Sequence, residues 1–167
     1  GMMGWALRTS SAAWRYLCGK TAALAGQGWW LTQYSGTDTL YAEIRDAVAG
    51  DTITSRPDLP IGGWFHFALT RSAGAQGLRI YIDAKRPATA ASNNRDVSTP
   101  SAMQIGDAVS SGRWHGLTSD VCLRIGSAFT WDEIGAHRYD GIWPSGLTGR
   151  WRERENAGTT ITEDAGA

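Results

Sequence analysis

The sequence is short of cysteine, of lysine and of net charge, and each shortage closes off a class of protein. Cys18 and Cys122 are the only cysteines, too few for a small domain stapled by disulfides. With three scattered histidines, His66, His115 and His137, they make no zinc-ligand spacing. They read as two small buried hydrophobes; a bridge between them would need neighbouring strands. Sixteen basic residues, of which only Lys20 and Lys85 are lysine, balance sixteen acidic ones. That leaves none of the basic excess by which nucleic-acid binders hold phosphate, so no nucleic-acid partner is expected. No run of 18 apolar residues occurs, which predicts no membrane-spanning helix and no membrane insertion. The opening Gly1-Met2-Met3-Gly4-Trp5 has no basic stretch followed by an apolar one, so no secretory signal is expected. The compartment stays open.

The 167 residues suit one domain, and 42% hydrophobic against 19% charged residues is enough to bury a core. Nine tryptophans and 21 glycines point to many short strands joined by tight turns. The period is two along most of the chain. Strands are expected at Gly4 to Thr9, Trp14 to Cys18, Trp29 to Tyr34, Leu40 to Arg45, Thr52 to Ser55, Trp64 to Arg71, Leu78 to Asp83, Ala102 to Gly106 and Val121 to Ile125. In Leu40 to Arg45 one face is apolar while Tyr41, Glu43 and Arg45 give a wet one. The segment 72–77 turns Trp64 to Arg71 back on Leu78 to Asp83 as a hairpin. Residues 88–100 read as a polar loop and 110–116 as a loop carrying Trp114 and His115. One short helix is expected near residues 130–137, with Thr130 as cap and Glu133 as the capping-box acid. The expected fold is all-β: a β-sandwich or a barrel. Trp64, Phe65, Phe67, Leu78, Ile80, Ile82, Val121, Leu123 and Ile125 should form its core, with Trp14 and one of Trp29 and Trp30 beside them.

Three segments in order resemble a known family. Gly63-Trp64-Phe65-His66-Phe67-Ala68-Leu69-Thr70 resembles the Trp-x-His-Val-Ala-x-Thr strand of laminin-G-like, concanavalin A-like domains. Leu78-Arg79-Ile80-Tyr81-Ile82-Asp83 is similar to that family's Leu-x-Leu-Tyr-Val-Asp-Gly hairpin. The segment 116–134, ending in Ala128-Phe129-Thr130-Trp131-Asp132-Glu133-Ile134, resembles its Gly-x-Ile-Asp-Asp-Val strand and the helix after it. Met103-Gln104-Ile105-Gly106 matches the short strand between them. The likeness spans roughly residues 4–138 and implies a two-sheet antiparallel jelly-roll β-sandwich, with a domain at residues 2–144 and a tail at 145–167. Two departures stand out. Ala84 occupies the turn position where the family has Gly. The family's usual first strand is missing ahead of Trp5, and residues 146–152 offer a replacement edge strand, with Leu147, Gly149 and Trp151 spaced to face one way. An edge strand docked in a neighbour would make a dimer, one docked at home a monomer. Beyond it the tail is expected to fray, or to begin a second module.

The resemblance raises four chemistries. Glycoside hydrolysis needs two carboxylates roughly 5–9.5 Å apart, and the Glu-x-Asp-x-x-Glu motif of hydrolases sharing this fold is absent. Glu153 and Glu155 come nearest but lack the third acid, Gly158 standing in its place. No Gly-x-Ser-x-Gly elbow occurs, and His66 reads as a strand residue rather than a general base. No catalytic residue is assigned, and the chain is expected not to be an enzyme. Calcium, which some relatives hold through loop oxygens, would draw on Asn93, Asn94, Asp96 and Asp107. These residues also favour turns for local reasons, and no metal or other cofactor is expected. For a ligand, Trp114 with Arg113 and His115 is the best exposed aromatic group, joined by Asn93 and Asn94. Its alternative is a plug closing one end of the sandwich. The implied function is a non-catalytic module recognising a glycan or a glycosylated surface. Its rivals are a structural or adhesive module of a phage particle with a protein partner, and a divergent glycoside hydrolase. A virion- or surface-associated place would suit either of the first two.

Overall fold

The structure is a computed structural model that describes residues 1–11, 14–21, 26–57, 59–93, 95–99, 101–106 and 112–151. Two antiparallel sheets stack face to face in a jelly-roll β-sandwich. Its strands are β1 (Met2–Arg8), β2 (Arg15–Thr21), β3 (Gly28–Gln33), β4 (Leu40–Arg45), β5 (Gly50–Thr54) and β6 (Trp64–Arg71). They continue as β7 (Gly74–Ile82), β8 (Ala88–Ser92), β9 (Gln104–Ile105), β10 (Gly116–Leu123) and β11 (Gly149–Trp151), with the helix α1 at Trp131–Asp140. One sheet has six strands in the order β11-β10-β1-β6-β7-β8, the other five in the order β5-β4-β3-β2-β9.

Alternation decides what each strand buries. Phe65, Phe67 and Leu69 of β6, Leu78, Ile80 and Ile82 of β7 and Met2 and Ala6 of β1 meet Leu31, Leu40, Ala42, Ile44 and Ile53 of the other sheet in one core. Ile80 is completely surrounded there, so Ile80→Ala should cost about 2–5 kcal/mol. Chemical denaturation measures this, and a cost below about 0.5 kcal/mol would mean the faces are reversed. The opposite side of the six-stranded sheet carries a second layer. Met3, Ala68, Tyr81 and Cys122 pack there under Phe129 and Ile134, beneath α1. Thr130 caps the helix and shares a complete capping box with Glu133, as the spacing predicts, although α1 runs to Asp140 rather than stopping near 137.

Several expectations need correction. Trp64 is 44% exposed, because the parity that points Phe65 inward points Trp64 out, ahead of the ground α1 covers. Ile125 is 70% exposed, since β10 ends at Leu123 and the alternation ends with it. Trp14 is 40% exposed and lies outside the core; of the other two it is Trp29 that packs on the core between the sheets, while Trp30 is buried on the opposite face of β3. Residues 88–92 form a strand, not a loop: small Ala88 and Ala90 pair with Ile80 and Leu78 at the sheet edge. Cys18 lies between the sheets and Cys122 beneath the helix, so both are free thiols. Burial pushes both upward in pKa, Cys122 to about 12.

The turn after β7 resolves the Asp83-Ala84 departure. Both residues are left-handed, φ 52° and 53°, a conformation that costs a residue bearing a Cβ about 1–2 kcal/mol. The turn geometry is therefore kept without the glycine that suits it. At the other margin, β11 pairs with β10 of its own chain, Trp151 facing Val121 and Gly149 facing Leu123. Trp151 packs on the core between the sheets while Leu147 joins the layer under the helix, so the two do not share a face. The acids Glu153 and Glu155, with the rest of the tail from residue 152, lie outside the described residues.

Candidate functional site

The face of the five-stranded sheet turned away from the core is the candidate site. Its residues follow from the parity of three strands. Leu40, Ala42 and Ile44 of β4 point into the core, so Tyr41, Glu43 and Arg45 point out. Register places Thr32 and Trp30 of β3 opposite Tyr41 and Glu43 on one side, and Thr54 and Thr52 of β5 on the other. Trp14 lies just before β2 and Tyr34 just after β3. The two rings meet edge to face at 4.6 Å between centroids, and Trp14 meets Tyr41 at 5.5 Å and 90°. Tyr34 stands 5.8 Å from Tyr41. These separations are those of rings in mutual contact, so the trio is a solid cluster with no gap for a guest between its members. What it offers is its outer surface, with Trp14 and Tyr34 40% and 38% exposed.

Polar groups adjoin the rings. Tyr41 Oη donates to Glu43 Oε2 at 3.0 Å, and Arg45 Nη1 donates to Glu43 Oε1 at 3.1 Å. The carboxylate is thereby fixed between a phenol and a guanidinium. Burial, reinforced by the Glu43 charge and its hydrogen bond, pushes Tyr41 up to about 12. Burial and the same charge also raise Tyr16, which sits one strand further over. Arg113 forms a parallel backbone bridge to Tyr16, so the loop after β9 borders this face. Glu43 is the one carboxylate that the described strands place on it. A hydrolytic pair needs two.

The site residues expected from sequence are scattered. Trp114 is only 7% exposed: it packs edge-on against Phe65 at 6.3 Å and donates from Nε1 to the Leu7 carbonyl at 2.9 Å. It is the plug of the sandwich, not its exposed aromatic, because the main chain around it is tied to Gly106 and Thr9. Arg113 and His115, its neighbours, point outward. Asn93 lies at the opposite end, where it donates to Asp51 through its main-chain and side-chain nitrogens. Asn94 and Asp107 lie outside the described residues.

Calcium asks for six to eight converging oxygens, and the described residues do not assemble them. Asp96 Oδ1 accepts from the nitrogen and hydroxyl of Ser98. Asp46 and Asp51, the nearest other acids, are bridged by the guanidinium of Arg95 at 3.1 and 2.7 Å. No group of three His, Cys, Asp or Glu side chains converges among the described residues. His66 is completely buried against His137 and Trp5, which leaves it no access to a substrate as a base.

The comparisons with known proteins agree with this architecture. The family model described as Laminin_G_3, concanavalin A-like lectin/glucanases superfamily, matches residues 5–135. No curated protein matches the sequence. Among solved structures, a native heptameric SAP-like pentraxin from Limulus polyphemus is similar with a TM-score of 0.65 at 16% identity, over 99% of this chain and 79% of the pentraxin's. A putative carbohydrate binding protein from Bacteroides ovatus is similar with a TM-score of 0.66 at 15% identity, over 98% of this chain but only 48% of that one. At such identities the likeness is one of fold.

Proposed function

The chain belongs to the concanavalin A-like lectin/glucanase superfamily, and on that premise we propose that it is a non-catalytic module binding a glycan on the outer face of its five-stranded sheet. The supporting observation is the exposed aromatic cluster of Trp14 and Tyr34 beside the fixed Glu43 carboxylate. A pyranose has an apolar face edged by hydroxyls. A ring surface takes the apolar face, and carboxylate, phenol and threonine oxygens take the hydroxyls. The side chains suffice for this and no metal is needed. The name of the Bacteroides relative as a carbohydrate binding protein agrees with the reading but does not carry it. That the described residues bring a single carboxylate to the face favours binding over hydrolysis.

The test is a glycan array, followed by titration of whatever the array selects. Trp14→Ala should weaken binding at least tenfold and leave the melting temperature nearly unchanged, because the ring is half in water. Equal affinity in wild type and Trp14→Ala would overturn the proposal. A second reading, a structural or adhesive module with a protein partner, is favoured by a different surface. On the six-stranded sheet Trp64, Leu7 and Leu117 form one cross-strand row, with Trp64 and Leu117 well exposed. An array without hits, together with partner binding lost in Trp64→Ser, would support that reading instead.

A further inference from the structure

The sandwich is stoppered at one end by Trp114. At the other end a cavity of about 370 Å³ opens between the sheets. Met2, Trp29, Ile44 and Leu69 give it an apolar wall beside the polar Asn93 and the Glu133-paired Arg124, and its size suits a small ligand. The alternation that turns Phe65, Phe67 and Leu69 inward turns Arg71 inward as well, so the last inward residue of β6 is a cation. It lines the same cavity.

Among the described residues Arg71 is held by neutral acceptors and by no carboxylate. Its Nε donates to Ser92 Oγ at 3.3 Å, and its Nη2 to the carbonyl oxygens of Asn93 and Arg95 at 2.9 and 2.8 Å. Every acceptor is uncharged. The acids nearby are spent elsewhere: Asp46 and Asp51 on Arg95, and Glu133 on Arg124. The three hydrogen bonds fix the guanidinium, so little side-chain entropy remains to be lost when an anion docks on it.

We infer that this end cavity binds an amphipathic carboxylate, its alkyl portion between the sheets and its carboxylate on Arg71. Burial of the chain removes apolar surface from water, and the headgroup supplies a countercharge that the described residues do not give Arg71, as a charge-assisted pair. The cavity lies at the opposite end of the molecule from Trp14, and the inference does not depend on the glycan reading.

Octanoate and octanol, which share a tail and differ in charge, are the probes, titrated calorimetrically into the full chain. One octanoate should bind per chain, at least tenfold more tightly than octanol. Arg71→Gln should reduce octanoate to the affinity of octanol. Ala73 lines the mouth on the exposed turn between β6 and β7, so Ala73→Trp should block both probes with the fold intact. Absence of saturable octanoate binding, equal affinity for the two probes, or unimpeded binding to Ala73→Trp would each overturn the inference. If Arg71→Gln does not fold, the wild-type comparison of the probes and the Ala73→Trp variant decide the matter.

Discussion

Lowering the pH from 6.5 to 4.5 should destabilise this protein steeply, the loss starting well above the range in which ordinary carboxylates protonate. The cause is a pair of histidines sealed between the six-stranded sheet and α1. His66 Nε2 and His137 Nδ1 lie 2.9 Å apart, and both residues are buried. Trp5 closes over His66 edge to face at 5.4 Å, and Trp143 closes over His137 at 5.0 Å. Arg138 stacks on Trp5 and pairs with Asp83 at 3.2 Å. Burial first, then the neighbouring His137 and Arg138, push His66 down to about 3. Burial also lowers His137, against a smaller opposing pull from Asp120. Two neutral rings can share one proton across their contact. Two imidazoliums would set N–H against N–H with no acceptor between them.

The sign follows from proton counting. An unfolded histidine binds its proton near 6.5, and folded His66 does so only near 3. Between those values the unfolded chain holds the extra proton, so stability is complete above 6.5 and falls as the pH drops. Each depressed histidine contributes up to about 1.4 kcal/mol per pH unit over its window, hence roughly 3 kcal/mol at pH 4.5 from His66, with a loss of the same sign from His137. Denaturant melts at pH 7, 6, 5 and 4.5 measure the slope, and the imidazole proton signals of His66 should hold still across that range. A flat stability profile, or ring signals that move with a midpoint near 6.5, would show that water reaches the pair.

The same pair shows where sequence reasoning stops. That His66 belongs to a strand follows from the motif around it and from parity. That His137 lies against it does not, because 71 residues separate them and only the docking of α1 joins them. The sandwich itself was legible: the edges of β4 and β6 coincide with the hydrophobic alternation, and the capping box marks the start of α1 to the residue. β8 was not, since Ala88-Thr89-Ala90 carries too little apolar contrast for a period to emerge. For the candidate site the signal existed. Trp14 and Tyr16 are two apart, as are Tyr41 and Glu43, and Trp30, Thr32 and Tyr34 continue one parity. Joining them requires the register that sets Thr32 against Tyr41, and long-range register is what composition and spacing leave out. Trp114 misled because a polar, glycine-bounded loop suggests exposure. The indole found a buried carbonyl acceptor, which lets a tryptophan serve as a stopper.

Removing the carboxylate of Glu133 should cost about 3–5 kcal/mol, far more than an ordinary surface acid. Arg124, itself buried, donates to Glu133 through Nη1 at 3.0 Å and Nη2 at 2.5 Å. It also reaches the Ser145 carbonyl at 2.7 Å and lies 4.5 Å from the centre of the Phe129 ring. The pair thus ties the end of β10, the start of α1 and the segment leading to β11. Without Glu133 a buried guanidinium keeps its charge and loses its partner, the costly way to break such a pair. The Glu133 carboxylate also accepts from the Thr130 nitrogen at 2.8 Å, so Glu133→Ala removes half of the capping box as well, while Glu133→Gln should recover the cap's share of about 1 kcal/mol. The Arg124 hydrogen bonds hold Glu133 at about 2, below its usual 4.5. Its contribution is therefore complete above pH 4.5 and is lost as the pH falls toward 2, a window that opens about two pH units below that of the histidines. Denaturant melts of Glu133→Ala and Glu133→Gln at pH 7 test the latch, and a loss under about 1 kcal/mol for the alanine variant would mean that packing alone holds the helix down. Because α1 covers the six-stranded sheet and the aromatic cluster lies on the other one, Glu133→Ala should melt earlier yet bind the array-selected glycan at its folded temperature as tightly as wild type. A parallel loss of affinity would mean that the sheet face is not shaped independently of the helix behind it.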